Sequence, residues 1–229
     1  MIFSARGGAT GGGDAYLSSM STDADPTVSA APDTAPTTRC RIIAAAERSF
    51  REIGYQKTTV SDIAKTLKMS PANVYRFFES KKAINEAVVE RLIGEVEARV
   101  VGIAAAPGLT ATERLTETIA ALHRDAIRRC EAFPRMHEMV EAAMSESWDV
   151  CRHHIDRIGA AFERIVVEGI RLGEFEAADP ATAARCLQVA ILRYNHPLLV
   201  RRLPEPPEPS IAQMSAFLLR SLQPVRRDA

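Results

Sequence analysis

The chain is predicted to be all-α, and three observations predict it. Aromatic residues make up only 6% of its 229 residues, while the helix formers Ala, Arg and Glu are abundant. From about Thr38 onward, apolar residues recur at three- and four-residue steps with charges between them. No stretch reads convincingly as a strand. With 46% apolar and 25% charged residues, the composition suits a soluble globular chain of one large domain or two small ones. No window approaches eighteen consecutive apolar residues, which predicts no membrane span. Gly and Asp stand where a signal peptide needs an apolar run, so a cytoplasmic, nucleoid-associated location is expected.

Residues 1–37 read as a disordered arm, rich in Gly, Ser, Thr and Pro and too poor in apolar surface to offset the entropy of ordering. The first helix carries Ile42, Ile43, Ala46, Phe50 and Ile53, and Gly54 stops it. Thr59 opens a second, with Asp62 three residues on as a near capping box and Ile63, Ala64 and Leu67 facing inward. Ser70 followed by Pro71 starts a third, containing Val74, Tyr75, Phe77 and Phe78. Ser80 caps a fourth, running through Ile84, Val88, Leu92, Val96 and Val100 to about Ala105. Pro107-Gly108 breaks the chain, and Thr110 with Glu113 caps a fifth helix whose stripe is Leu115, Ile119, Leu122, Ala126, Cys130 and Phe133. After Pro134 a short helix carries Met136, Met139, Val140, Ala143 and Met144. A long one follows, with Trp148, Cys151, Ile155, Ile158, Phe162, Ile165 and Gly169 in one stripe, and Gly173 ends it. Asp179-Pro180 starts a helix with Cys186, Leu187, Ala190 and Ile191 that Pro197 bends or breaks. Pro204 to Pro209 form a stiff linker, and Ser210 caps a last helix with Ile211, Met214, Phe217, Leu218 and Leu222.

The net charge of zero hides an asymmetry. Residues 39–82 carry +6, while residues 1–38 and 83–229 carry −3 each. A polyanion partner for the basic segment is the natural inference, although a solvated Arg-rich face would account for the charge alone. Cys40, Cys130, Cys151 and Cys186 lie far apart, which suits a reducing compartment with cysteine as a small buried hydrophobe. Neither a disulfide framework nor a zinc site is expected.

Residues 58–78 carry the functional signal. Two short helices joined by a turn of three or four residues, the second pinned by a cap, follow the helix-turn-helix grammar that places a helix in the DNA major groove. That helix would show Pro71, Ala72 and Asn73 outward, with Arg76 one turn further on the same side. Asn and Arg suit bidentate pairing with adenine and guanine edges. Thr59, Tyr75 and Lys81 are placed as phosphate clamps, while Val74 and Phe78 turn inward against Ile63 and Phe50. A three-helix bundle with no DNA role is the alternative; the basic exposed face and the placement of the apolar positions weigh against it.

The run Arg41–Phe50 (RIIAAAERSF), then Gly54-Tyr55, Thr58–Ala64, Met69–Phe78 and Ser80-Lys81-Lys82, resembles the N-terminal domain of tetracycline-repressor-type (TetR family) regulators nearly end to end. The resemblance implies an all-helical homodimer that represses transcription from a palindromic double-stranded operator. Release would come when a small molecule binds the larger C-terminal domain. The implied organisation is a helix-turn-helix domain over 38–82 and a helical regulatory and dimerisation domain over 83–225. By position, Thr59, Tyr75 and Lys81 would contact phosphates, and Pro71, Ala72, Asn73 and Arg76 would face bases. Two positions depart from the family pattern: Ala72 stands where Gly is common, and Phe77, which cannot hydrogen-bond, stands where His or Tyr often touches a phosphate.

A dimer surface is expected from the last two helices, with Leu187, Ile191, Leu198, Leu199, Phe217, Leu218 and Leu222 as candidates. A pocket for a small apolar or amphipathic ligand is expected between residues 84 and 200. Met136, Met139, Met144 and Trp148 cluster there, methionine adapting to varied shapes and Trp adding a flat wall. By helix angle His153 points away from the apolar stripe, whereas His154 flanks it at about 70° from the centre. The expected lining is therefore Met136, His137, Met144, Trp148, His154, Tyr194 and His196, although a plain core is the blander reading of any one of them. No metal site, cofactor or catalytic residue is expected, since no nucleophile elbow, phosphate loop or clustered acid–base pair occurs. A regulator controlled by a protein partner, or a constitutive one, is the alternative to small-molecule control.

Overall fold

The computed structural model describes residues 36–200 and 208–224. The expected arm lies outside them except for Pro36 and Thr37, as does most of the Pro/Glu linker. The described residues form eleven helices: α1 (Thr38–Glu52), α2 (Val60–Thr66), α3 (Pro71–Tyr75), α4 (Lys81–Ala104), α5 (Ala111–Ala132), α6 (Met136–Glu146), α7 (Trp148–Arg171), α8 (Pro180–Ala190), α9 (Leu192–Asn195), α10 (Pro197–Val200) and α11 (Ile211–Leu222).

The boundaries follow local chemistry. Thr37 caps α1 by accepting from Cys40 N at 3.3 Å. Ser70 and Ser80 cap α3 and α4 through Asn73 N and Ala83 N. Reciprocal capping boxes open α2 (Thr59, Asp62), α5 (Thr110, Glu113) and α11 (Ser210, Gln213). Gly54 follows α1 at φ +101°, and a Cβ there would also lie 2.6 Å from a Glu138 carboxylate oxygen.

Two differences from the sequence reading stand out. The helix starting at Ser70 is shorter than expected: Arg76 is its C-cap, and Phe77 and Phe78 turn back to the Val74 carbonyl. The helix from Pro180 breaks at Ile191 before it breaks again at His196, whose extended backbone (ψ 125°) is what a following proline imposes.

Two apolar clusters hold the fold together. In the first, Ile42, Phe50, Ile63, Val74 and Phe78 of the N-terminal helices pack against Ile84 and Val88 of α4 and Met139 and Ala143 of α6. In the second, Val100 and Ala104 of α4 pack with Leu115 and Ile119 of α5, Phe162 and Ile165 of α7, Leu187 of α8 and Leu218 of α11. At 24 residues, roughly 36 Å long, α4 runs through both clusters. The buried Glu47 of α1 is ion-paired to Arg91 of α4.

All four cysteines are free thiols. Cys40 and Cys186 are exposed and Cys130 and Cys151 half-buried, so none is the fully buried small hydrophobe that was expected. No helix among the described residues is long and apolar enough to cross a membrane.

Candidate nucleic-acid interface and ligand cavity

The short α3 lies on α2 with Val74 fully buried and Phe78 nearly so, which leaves its other face outward. The turn between the two helices runs through Lys68 at φ +55°, a left-handed conformation unusual for a residue with a side chain. Pro71, Ala72, Tyr75 and Arg76 are exposed, and Asn73 is half-buried. Arg76 has no ion pair among the described residues. Phe77 is also exposed, at 42%, an apolar group on an otherwise polar face.

Two residues expected as phosphate clamps are placed differently. The Thr59 hydroxyl accepts from Asp62 N and donates to the Asp62 carboxylate at 2.6 Å, so it is committed to the cap. Those bonds hold the Asp62 carboxyl below its usual range, Thr59 being the cause. Lys81 turns back rather than outward: its Nζ donates to the Gln56 carbonyl at 3.2 Å and lies 4.3 Å from the Tyr55 ring centre. Burial pushes the Lys81 pKa down, against the pull of Glu146 and Glu138.

These contacts belong to a junction between the N-terminal helices and α6. Arg135 Nη1 donates to the Ile53 carbonyl at 2.8 Å, and Gln56 N donates to Glu138 Oε2 at 3.3 Å. At the far end of α6, Tyr55 donates to Glu146 Oε2 at 3.3 Å; burial, then this carboxylate, raises its pKa to about 12. In the middle, the buried Asn85 of α4 donates to the Met139 carbonyl at 3.3 Å. Thus α6 is bonded along its length to the turn between α1 and α2 and to α4.

The opposite side of α6 faces a cavity of about 340 Å³, at the small end of the ~300–1,000 Å³ range of small-molecule sites. Val140, Ala143 and Met144 of α6 meet Val89, Leu92 and Val96 of α4 across it. Leu122 and Ala126 of α5 and Cys151, Ile155 and Ile158 of α7 complete most of the apolar wall. Burial raises the Cys151 thiol pKa, so it serves as an inert apolar group there. Polar atoms come from Asp125, Arg129, His154, Gln188, Asn195 and His196.

Of the residues expected in this lining, Met144, Trp148, His154 and His196 are in it. Trp148, 50% exposed, and Met144 stand at the more open side. His137 and Tyr194 are not in the lining; Tyr194 points its hydroxyl at the Pro209 carbonyl, 2.6 Å away. The Met136 side chain lies outside what the structure describes. Sequence reasoning passed over Asp125 and Arg129, a carboxylate–guanidinium pair at 2.5 Å buried on α5. Their i, i+4 spacing beside the Leu122/Ala126 stripe was the available signal. Gln188 carried none, because its role depends on the Ile155 carbonyl of another helix, 2.8 Å away.

The expected dimer residues divide in the same way. Leu187, Ile191, Leu218 and Leu222 are buried in the subunit's own core. Phe217, at 60% exposure, and Val189, at 64%, remain open, Val189 not having been singled out from sequence.

With this geometry in place, the comparison with known families is direct. Residues 42–88 match the model of bacterial regulatory proteins of the tetR family, and residues 111–212 match the tetracyclin repressor-like C-terminal domain. The chain belongs to the TetR family of transcriptional regulators. A TetR/AcrR-family regulator from Thermobifida fusca has the same fold at 27% identity, with a TM-score of 0.56 over 82% of this chain and 98% of its own. SmeT, the repressor of the Stenotrophomonas maltophilia multidrug efflux pump SmeDEF, matches in its triclosan complex at 22% identity with a TM-score of 0.60. That match covers 82% of this chain and 92% of SmeT. In sequence, the uncharacterized HTH-type regulator YhgD of Bacillus subtilis is 22% identical over 151 residues, 62% of this chain and 74% of YhgD. This TetR-family regulator is thus a DNA-binding transcription factor and not an enzyme, its helix-turn-helix formed by α2 and α3.

Proposed function

We propose that this regulator is a repressor that binds a palindromic operator as a homodimer and is released when a small, largely apolar molecule enters the cavity. The observation that carries this reading is the double role of α6. One side of it lines the cavity through Val140, Ala143 and Met144. Its ends and middle are bonded to Ile53, Tyr55, Gln56 and Asn85, beside the helices that carry α3. A molecule that displaces α6 therefore works directly on the mounting of the reading helix. SmeT, of the same fold, occurs as a complex with triclosan, which supports an apolar ligand class.

On DNA, Asn73 and Arg76 would read base edges, Pro71 and Ala72 would allow close backbone approach, and Tyr75 would contact phosphate. Two copies would present their α3 helices about 34 Å apart, one DNA turn. The exposed Val189 and Phe217 are the apolar groups we assign to the pairing surface. The helical domain beginning at about residue 83 is shared with the head through α4, whose first turn starts at Lys81.

The test is selection of bound duplexes from a random pool by the full chain, followed by binding titrations of the selected site with and without hydrophobic compounds. Sedimentation of the complex gives the number of copies bound. A selected palindrome, two copies per site and release by at least one apolar compound are expected. Tight binding that no compound weakens would instead favour control by a protein partner or constitutive silencing.

A further inference from the structure

In the free protein, two of the three residues expected at phosphates are engaged within the chain. Thr59 is bonded to Asp62, and Lys81 to the Gln56 carbonyl, which leaves the exposed Tyr75. A hydroxyl alone is a weak hold on a polyanion whose charge neutralisation supplies much of the affinity. A different cation is fixed at the same end of the head. Arg39 stands in the first turn of α1, one turn before Ile42 and Ile43 on the face packed against the other helices. At that outermost place its neighbour is Phe78: the guanidinium carbon lies over the Phe78 ring, 4.8 Å from its centre. Phe78 is nearly buried, and the two residues before it, Arg76 and Phe77, are exposed. The Arg39 charge is therefore tethered beside the C-terminal end of α3. The exposed Lys57, Lys65 and Lys68 have no such tether among the described residues.

Arg39 is itself exposed, and among the described residues its guanidinium has neither a hydrogen bond nor an ion pair. A guanidinium resting on a ring uses its face, and its N–H donors, which lie in the plane, stay open to an oxyanion. From this placement we infer, on the reading that α3 enters the major groove, that Arg39 is a phosphate clamp. It holds one backbone phosphate beside the C-terminal end of α3. Such a contact carries no sequence information, so Arg39 adds affinity and salt dependence where Arg76 adds discrimination. The same helix supplies a matched control. Arg51, in the last turn of α1 and about 18 Å further along it, lies over the ring of Phe133 at 4.1 Å. Its stacking is the same, but its partner is the C-cap of α5, in the body of the protein.

The experiment uses the full-length parent, Arg39→Met, Arg39→Lys, Arg51→Met and Arg76→Ala. Each is titrated by anisotropy against a fluorescein-labelled selected operator and a scrambled duplex of the same length, from about 50 to 200 mM salt, with thermal melting alongside. Methionine keeps an unbranched side chain over Phe78 and removes the charge. For Arg39→Met the slope of log affinity against log salt should be shallower by about 0.9 per copy bound. Over that salt range its affinity should therefore drop about 3.5-fold less per copy than the parent's. The change should be equal on both duplexes, so that the ratio of operator to scrambled affinity stays at the parent's value. Arg39→Lys should recover the slope, and Arg51→Met should keep it whatever happens to its melting temperature. A parental slope in Arg39→Met, with a lowered melting temperature, would overturn the clamp and leave Arg39 as a cover for Phe78. A shifted ratio in Arg39→Met would overturn it in favour of a base contact. If Arg76→Ala weakens operator binding while Arg39→Met matches the parent, the clamp alone fails. If both match the parent, the placement of α3 in the groove fails with it.

Discussion

In the helix-turn-helix, the outward surface comes from five positions within one short stretch, Pro71, Ala72, Asn73, Tyr75 and Arg76, set on the buried Val74 and a nearby phenylalanine. In the cavity, every helix from α4 to α10 contributes at least one side chain, and the lining spans Val89 to Pro197. The first surface is specified by caps and turns a few residues apart, so its side chains can change with little effect on the fold. The second exists only because distant helices fail to meet completely, so its side chains serve stability and binding at once. One domain therefore separates function from folding, and the other joins them.

Truncating the two packed cores should have the largest effects. Phe50 and Phe162 are each fully buried, and replacing either by Ala should cost about 3–5 kcal/mol in chemical denaturation. A loss below about 1 kcal/mol at Phe162 would mean that the second cluster is far looser than its packing implies. Gly169→Ala comes next. Its Cβ would sit 2.1 Å from a ring carbon of the buried Phe175, and moving that ring should cost about 1–3 kcal/mol.

Arg76→Ala should sharpen the contrast from the other side. It should leave stability within about 0.5 kcal/mol of the parent, weaken operator binding by about 1–3 kcal/mol and relax one base position. If the variant keeps the parent's ratio of operator to scrambled-DNA affinity, Arg76 does not read a base. For the parent, operator affinity should fall steeply as salt is raised, which titrations at several ionic strengths would measure.

The smallest effects separate the two regions by pH. Asp62 has a lowered pKa through its bonds with Thr59, so its contribution is present above the ordinary carboxylate range and is lost on acidification. Melting curves of Asp62→Asn and the parent should differ near pH 7 and converge as the pH falls through the acid range. His196 also has a lowered pKa, through burial, but its loss begins at higher pH. The unfolded imidazole takes up its proton first, from about pH 6.5 downward, so acidification draws the protein toward unfolding. His196→Gln should flatten the melting temperature between pH 7 and pH 5; an unchanged slope would show that His196 protonates equally in both states.

The reading head was largely legible in the sequence because its determinants are local. Ser70-Pro71 fixes where α3 begins, and Val74 and Phe78 fix which side turns inward. The contacts of Lys81 within the chain were not legible, because its nearest partners, Gln56 and Tyr55, belong to the turn after α1. In α7 the periodic stripe was right as a pattern and silent on its fate. Phe162 and Ile165 are packed, whereas Trp148, Cys151 and Ile155 at its start border the cavity and Ile158 is both buried and part of the wall. Tyr194 and His196 are two residues apart, yet only His196 lines the cavity, while the Tyr194 hydroxyl turns to the Pro209 carbonyl.

From the sequence alone came the all-helical class, the capped helix starts at Thr59, Ser70, Ser80, Thr110 and Ser210, and the outward set of Pro71, Ala72, Asn73 and Arg76. Each is decided by backbone chemistry within one or two turns. Tertiary structure alone decided which apolar residues meet a neighbour, an open volume or solvent, and so where the cavity lies and which of its polar atoms stay unpaired. A leucine or an asparagine has the same place in a helical repeat in all three settings. Only the approach of distant helices separates Leu218, locked in the core, from Phe217, read in the same apolar set and left on the surface, and leaves Asn195 Oδ1 without a donor.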